Sequence, residues 1–203
     1  MTLMLVMPDD APERVLLRTD DAERIRAELE REGVRFERWR ADAELAPGAG
    51  QSEVLAAYAR DVERLMREGG YRSADVVRLA PDPSDPEGSA ARAAGARAKF
   101  LAEHTHAEDE VRFFVEGRGL FYLHLGGRVL SVRCERGDLL SVPARTPHWF
   151  DMGRAPSFCA IRLFTNPDGW VASFTGDSIG ERFPEHDVIE AWPAASRAEE
   201  PRR

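Results

Sequence analysis

Four residues of this sequence combine side chains that hold metal ions with a spacing that lets them meet. His104 and His106 are separated by one residue, Glu110 follows four positions later, and His148 comes after a run of apolar segments. Residues two apart on a strand point to the same face, so His104 and His106 can reach one ion together. The pattern therefore predicts a mononuclear metal site of three imidazoles and one carboxylate.

The types of these ligands limit the metal. Nitrogen and oxygen donors suit Fe(II), Ni(II), Mn(II) and Co(II), whereas structural zinc more often takes thiolates and closes at four ligands. An octahedral ion would keep two positions open, which indicates a catalytic site. Cys134 and Cys159 lie in separate apolar runs and are predicted to be free thiols. His124 and His186 lack neighbouring ligand types, so we assign them ordinary structural roles.

The elements that must position the ligands divide the chain into three parts. Residues 1–97 mix strand and helix patterns and are predicted to form an α/β portion. Residues 98–178 show short strands separated by turns, which is typical of a barrel or sandwich rather than a βαβ fold. Residues 179–203 are rich in proline and charge, and we expect an extension whose end is disordered. The sequence predicts a single, mainly β domain in which the α/β portion packs on a metal-binding barrel.

Glycine and proline punctuate the sequence and predict individual elements. We expect a first strand at residues 4–7, a helix over 52–69 and a short helix at 89–97. In the barrel, glycines predict a turn between two strands at 117–119 and a hairpin at 126–127.

Charge and hydropathy exclude several classes of partner. The net charge of −8 over 203 residues argues against binding to nucleic acid or anionic lipid. No apolar run approaches the roughly 18 residues that a membrane span needs. The N-terminus lacks the basic and long apolar regions of a signal peptide. We therefore expect a cytoplasmic protein without nucleic-acid or membrane partners.

The ligand spacing resembles that of a large superfamily. The pattern His104-x-His106-x3-Glu110-x6-Gly117 is similar to the first metal motif of the cupins, and Gly137-x5-Pro143 followed by His148 resembles the second. This resemblance implies a cupin-type double-stranded β-helix, a jelly-roll barrel, with added helices.

Three longer strings resemble one family within that superfamily, the acireductone dioxygenases. They are EHTHAEDEVRFFVEGRGLF at 103–121, GDLLSVPARTPHWFDMG at 137–153 and AIRLFTNPDGWVASFTG at 160–176. The resemblance implies a monomer of the methionine salvage pathway with one Fe(II) or Ni(II) per chain. Its substrates would be 1,2-dihydroxy-3-keto-5-methylthiopentene and O2. The iron form would give 4-methylthio-2-oxobutanoate and formate, and the nickel form 3-methylthiopropionate, formate and carbon monoxide.

Further residues gain expected roles from this resemblance. Arg112 shares a strand face with Glu110, so it should point into the metal pocket and favour an enediolate dianion, the role that the family also implies. A surface salt bridge is the alternative for Arg112. The resemblance implies that Glu103 assists metal incorporation and that Asp109 transmits local conformational change. The residues alone would make both of them solvated or supporting carboxylates.

The last group of candidates concerns the substrate's thioether tail. Phe100, Phe150 and Trp170 are expected to line the pocket around it, with ordinary core packing as the alternative for each. Arg162 interrupts the apolar run at residues 158–164 and would support either the substrate or a ligand carboxylate. A structural ion pair is an equal alternative for Arg162.

Two rival functions share the four ligands. Another cupin dioxygenase or a cupin isomerase would use the same metal without requiring Arg112. A non-enzymatic metal-binding cupin would instead have a closed coordination sphere.

Overall fold

The computed structural model of the chain describes residues 1–166 and 170–191. Its strands are β1 (Leu3–Pro8), β2 (Leu17–Thr19), β3 (Arg35–Arg38), β4 (Ser73–Leu79), β5 (His104–Thr105), β6 (Glu110–Leu125), β7 (Arg128–Glu135), β8 (Asp138–Val142), β9 (His148–Asp151), β10 (Phe158–Phe164) and β11 (Ser173–Phe174). Its helices are α1 (Ala22–Arg31), α2 (Gln51–Ala57), α3 (Ala59–Gly69), α4 (Pro86–Leu101) and α5 (His186–Ala191), with a 3-10 turn at Ile179–Arg182. None of these helices is both long and apolar enough to cross a bilayer. The disorder predicted for the C-terminal end concerns residues 194–203, which lie outside the described ranges.

The longest strand, β6, is shared by two antiparallel sheets. Its first half pairs with β8 and β10, and its second half pairs with β7 and β9. One sheet therefore has the order β4-β10-β6-β8-β3, and the other the order β11-β5-β9-β6-β7-β1-β2. Apolar side chains from both sheets form a common buried cluster, which is the interior of a barrel.

The turn predicted at residues 117–119 is wrong, because β6 runs through it without interruption. Gly117 has a φ of +64°, and a Cβ at this position would lie 1.8 Å from the carbonyl oxygen of Ser157. The glycine therefore permits a bend and a close strand crossing rather than a chain reversal. The hairpin predicted at 126–127 is confirmed, since both glycines have positive φ and join paired residues Leu125 and Arg128.

Strands from the N-terminal part of the chain complete both sheets. The strand predicted at residues 4–7 is confirmed as β1, which pairs with β7. Similarly, β3 pairs with β8 and β4 pairs with β10. The ligand-bearing strands are thus braced by partners that lie far from them in sequence.

The helix predicted at residues 52–69 is divided into α2 and α3. The break is at Tyr58, whose φ of −110° and ψ of 21° are not helical. The helical segment also begins earlier than predicted, because the Glu53 carboxylate accepts a hydrogen bond from the Gly50 N–H at 2.8 Å. Its end at Gly70, with a φ of +68°, agrees with the predicted glycine stop.

The short helix predicted at residues 89–97 is the longer helix α4. Its start lies earlier because Asp85 caps it, accepting from the Gly88 N–H at 3.0 Å, and Pro86 occupies the first turn. Gly95 does not interrupt it, and the helix continues to Leu101, three residues before His104.

Successive side chains of β6 point to opposite faces of the sheet, so the apolar residues that pack against the helices and the polar site residues lie on different faces. Val111, Phe113 and Val115 pack against α2 and α3 on the outside of the sheet. Phe114 lies in the barrel interior. Glu110 and Arg112 share its face, as the two-residue period of a strand requires. The fold therefore turns a carboxylate and a guanidinium inward.

Candidate metal centre

The four predicted ligands meet at one end of the barrel. His104 opens β5, Glu110 opens β6 and His148 opens β9, while His106 follows β5 directly. The pairing of β5 with β9 places His104 opposite His148. All four side chains are buried, and one ligand atom from each lies within 4.8 Å of the others. This buried group could hold one metal ion.

Backbone carbonyls orient all three imidazoles. The Nδ1 atoms of His104, His106 and His148 lie 2.8, 3.0 and 2.8 Å from the carbonyl oxygens of Ala102, Val171 and Thr146, respectively. A carbonyl oxygen can only accept, so each Nδ1 carries the hydrogen and each Nε2 keeps its lone pair. Such outer hydrogen bonds are typical of metal-ligating histidines.

The free lone pairs converge on the Glu110 carboxylate. The Nε2 atoms of His106 and His148 lie 3.0 and 3.1 Å from Glu110 Oε2. With the hydrogen on Nδ1, these contacts bring acceptors face to face, and only a cation or an extra proton relieves them. The donor set therefore fits a divalent metal ion.

The protonation of the site is consistent with metal binding. Burial lowers the pKa of His104 to about 4, so this imidazole is neutral at neutral pH. Burial alone would raise the pKa of Glu110, but the charge of Arg112 and the close approach of His106 and His148 to its carboxylate outweigh burial and hold this pKa well below its usual range. For His106, burial lowers the pKa, yet the hydrogen bond and charge of Glu110 outweigh burial and raise it.

Arg112 lies beside the ligands, as its strand position predicted. It is 3% exposed, and its Nε donates to Glu110 Oε1 at 2.8 Å. Its guanidinium lies 4.6 Å from the ring centre of Phe150 and 5.3 Å from that of Phe121. The aromatic faces stabilise a cation that is otherwise removed from water. A surface salt bridge is excluded for Arg112.

A cavity of about 390 Å³ opens beside this group. Three of the metal-ligand residues, His104, His106 and Glu110, line it together with polar and apolar side chains. Phe100 and Trp170 belong to its lining, whereas Phe150 does not and instead packs beneath Arg112. The remaining lining residues are Lys99, Arg112, Arg162, Val171, Ala172 and Phe174.

Arg162 forms the structural ion pair considered for it and also lines the cavity. It faces Arg112 across the β10–β6 pairing. Its Nε and Nη2 also donate to the two carboxylate oxygens of Asp75, at 2.7 and 2.6 Å. The ion pair fixes the guanidinium at the cavity wall, which Arg162 shares with Arg112 and Lys99.

The two flanking carboxylates make different contacts. Asp109 is exposed, and its Oδ1 accepts from the Ala144 N–H at 2.9 Å, which links it to the loop that leads to His148. Glu103 is 4% exposed and accepts hydrogen bonds from His124 and Thr175.

Sequence reasoning missed the position of His124. We assigned it an ordinary structural role, but its Nδ1 lies 2.7 Å from Glu103 Oε1, next to the ligand His104. No spacing in the sequence joins residues 103 and 124, because only the fold brings β6 to the start of β5. His186, by contrast, lies on α5 near Asp187 and not among the ligands.

Comparison with known proteins agrees with this geometry. Residues 4–172 match the model of the ARD/ARD' family. The acireductone dioxygenase of Parvibaculum lavamentivorans is 58% identical over 92% of this chain and 98% of its own length. That of Pseudomonas paraeruginosa is 56% identical over 91% of this chain and 98% of its own length.

A solved structure gives the same result for the fold. It is described as acireductone dioxygenase from Bacillus anthracis with cadmium ion in active center, and it aligns with a TM-score of 0.69 and 26% identity. The alignment covers 86% of this chain and 98% of that one. The predicted mainly β, cupin-type fold with added helices is thereby confirmed. The chain belongs to the ARD/ARD' family, the family of the acireductone dioxygenases.

Proposed function

We propose that this chain is a metal-dependent dioxygenase that cleaves the acireductone 1,2-dihydroxy-3-keto-5-methylthiopentene with O2 in methionine salvage. The observation that carries the proposal is the convergence of His104, His106, Glu110 and His148 beside the buried Arg112, at the wall of a cavity. A closed structural site would have no adjoining cavity and no need for a guanidinium.

The four ligands would hold one Fe(II) or Ni(II). When bound, the metal supplies a Lewis acid and a template for an anionic substrate. The chain's own contribution is to aim the imidazole Nε2 atoms inward through the three carbonyl contacts, and to keep Glu110 deprotonated through the charge of Arg112.

Arg112 is the residue that we expect to act on the substrate's charge. An acireductone is an enediol, and it becomes electron-rich enough to react with O2 when it loses its protons. A guanidinium buried beside the ligands favours the deprotonated form, and Arg162, which is paired with Asp75, lines the same cavity from the neighbouring strand. Because its Nε donates to Glu110, Arg112 also holds that ligand in place.

The remaining roles are proposed from position for the aromatic residues and from the family resemblance for Glu103 and Asp109. Phe100 and Trp170 would receive the apolar thioether tail, and Phe150 would act indirectly by supporting Arg112 from below. Glu103, one residue before His104, would assist metal incorporation. Asp109 would transmit movement between its own loop and the loop before His148, which it contacts through Ala144.

The metal would decide the products. The iron-loaded protein is expected to form 4-methylthio-2-oxobutanoate and formate. The nickel-loaded protein is expected to form 3-methylthiopropionate, formate and carbon monoxide. We further propose that the protein acts as a monomer in the cytoplasm, and light scattering on the purified chain would test the monomer.

The test is to strip the protein of metal, reload it with iron or nickel, and identify the products from acireductone under air. Two different product sets from one polypeptide would support the proposal. The absence of any oxygen-dependent product with either metal would overturn it. An isomerised product formed without O2 would favour the rival cupin isomerase.

A further inference from the structure

Part of the cavity wall belongs to a segment with few anchors, residues 170–177, which we call the rim segment. Six of these eight residues are exposed. Yet the rim segment supplies the Val171 carbonyl oxygen that orients His106, and its Trp170 and Phe174 rings lie beside ligand rings. Its position therefore matters for the metal centre although little apolar burial maintains it.

Glu103 provides two of the anchors. Its backbone oxygen accepts from the Thr175 N–H at 3.1 Å, and its Oε2 accepts from Thr175 Oγ1 at 2.7 Å. Further contacts are the two-residue pairing of β11 with β5, the contact between Val171 and His106, and the packing of the Trp170 ring on Phe164, with 4.5 Å between the ring centres. The buried carboxylate of Glu103 thus binds the rim segment near its C-terminal end, away from Trp170.

A buried carboxylate must itself be held. Glu103 is 4% exposed, and a carboxylate removed from water requires a strong donor. His124 Nδ1 meets this need at 2.7 Å, while its Nε2 lies 3.3 Å from Asp9 Oδ2. His124 is fixed in turn, because its backbone N–H donates to Pro147 next to His148.

We propose that His124 is a positioning residue of the metal pocket, which holds Glu103 so that Glu103 can hold Thr175 and keep the rim segment in place. The contacts form one chain from Asp9 through His124 and Glu103 to Thr175. This role deepens the proposed function and rests on it for its kinetic consequences, but the ordering of the rim segment can be measured without turnover.

Removing the hydrogen bonds of either His124 or Thr175 should loosen the rim segment. His124→Phe keeps an aromatic ring but removes both donors, and Thr175→Val removes only the hydroxyl. In the nickel-loaded protein, hydrogen exchange of the backbone amides at 170–177 should become about tenfold faster in each variant, the change expected when a hydrogen bond to a charged group is lost. Amides of α3 should be unchanged.

The coupling between the two sites is the sharper readout. If His124 and Thr175 both act through Glu103, the double variant should exchange no more than about twofold faster than the faster single variant. Loss of either contact already releases the rim segment from Glu103. His124→Asn, which retains one donor towards Glu103, should restore slow exchange. His186→Gln is the matched control, since it removes a histidine that faces a carboxylate on α5, away from the cavity.

Kinetics give the functional consequence. His124→Phe should raise KM for acireductone by about tenfold while kcat changes less than about threefold, because a loose wall weakens binding more than chemistry. Unchanged rim exchange in His124→Phe, or an equal increase in His186→Gln, would overturn the proposal. If neither iron- nor nickel-loaded wild-type protein turns over acireductone, the proposed function fails, and the exchange experiment still decides the role of His124.

Discussion

At the scale of single residues, Arg112 determines how Glu110 can serve as a ligand. Its Nε holds one carboxylate oxygen at 2.8 Å and leaves the other facing His106 and His148. A lysine would keep the charge but not the planar fork that makes this contact while facing the cavity.

We therefore expect Arg112→Lys to lower kcat/KM for acireductone by about 100-fold, the effect of losing a hydrogen bond between charged groups of up to about 3 kcal/mol. Oxygen uptake at equal metal loading would measure this. Arg78→Lys, at an arginine that pairs with Glu116 outside the cavity, should change it less than about threefold. Retention of most activity in Arg112→Lys would contradict the role.

A second prediction at this scale concerns pH. In the metal-free protein the pKa of His106 is raised and that of His104 is lowered to about 4. A proton on His106 competes with the metal, so nickel affinity should fall as pH drops through the raised pKa of His106, by about tenfold per unit for one proton. Competition titrations between pH 8 and pH 5 would show this slope. A flat profile would mean that His106 is not a ligand.

Some residues of the site could be predicted from the sequence and others could not. The ligands and Arg112 could be predicted because strand spacing alone sets which side chains share a face. The carbonyl group that orients His106 could not, since Val171 lies 65 positions from His106 and contributes a backbone atom. The role of His124 could not be predicted for the same reason, because its partner Glu103 is distant in sequence and close only in the fold.

At the scale of elements, the bend in β6 decides whether the two sheets can share a strand. The sequence predicted a turn at residues 117–119, but Gly117, with a φ of +64°, lies in a bulged strand instead. Local pattern cannot separate these outcomes, because both need the same backbone freedom.

Gly117→Ala should therefore be far more destabilising than the same substitution at a glycine that has a positive φ but open space around its Cβ position. The left-handed backbone alone costs about 1–2 kcal/mol, and the added Cβ would also collide with the Ser157 carbonyl oxygen. Gly126→Ala is the control, because φ there is +58° and its Cβ would meet nothing within 4 Å. Urea unfolding should show a clearly greater loss for Gly117→Ala, and equal losses would refute the crowded bend.

At the scale of the whole molecule, the N-terminal part is built into the barrel. β1, β3 and β4 each pair with a strand that follows residue 100. Buried Asp138 adds a polar tie, since it accepts from Thr2 Oγ1 at 2.6 Å and pairs with Arg38 at 3.1 Å. The sequence indicated an α/β portion but not these partners, because pairing between distant strands leaves no local signature.

We propose on this basis that residues 1–97 and 98–178 fold as one unit. A fragment that begins at Ala98 should show no cooperative thermal transition and no nickel binding, because both sheets would lose edge strands that cover buried apolar faces. Calorimetry of the fragment beside the full chain would test this. A sharp transition in the fragment would mean that the barrel folds independently.

The central claim is that one metal, held by His104, His106, Glu110 and His148, runs the reaction. The most direct measurement is a titration of metal-free protein with nickel, following oxygen uptake with acireductone. Activity should rise linearly and reach a plateau at about one equivalent per chain, as four converging ligands require. Oxygen uptake that is equally fast without metal, or none at full loading, would contradict the account.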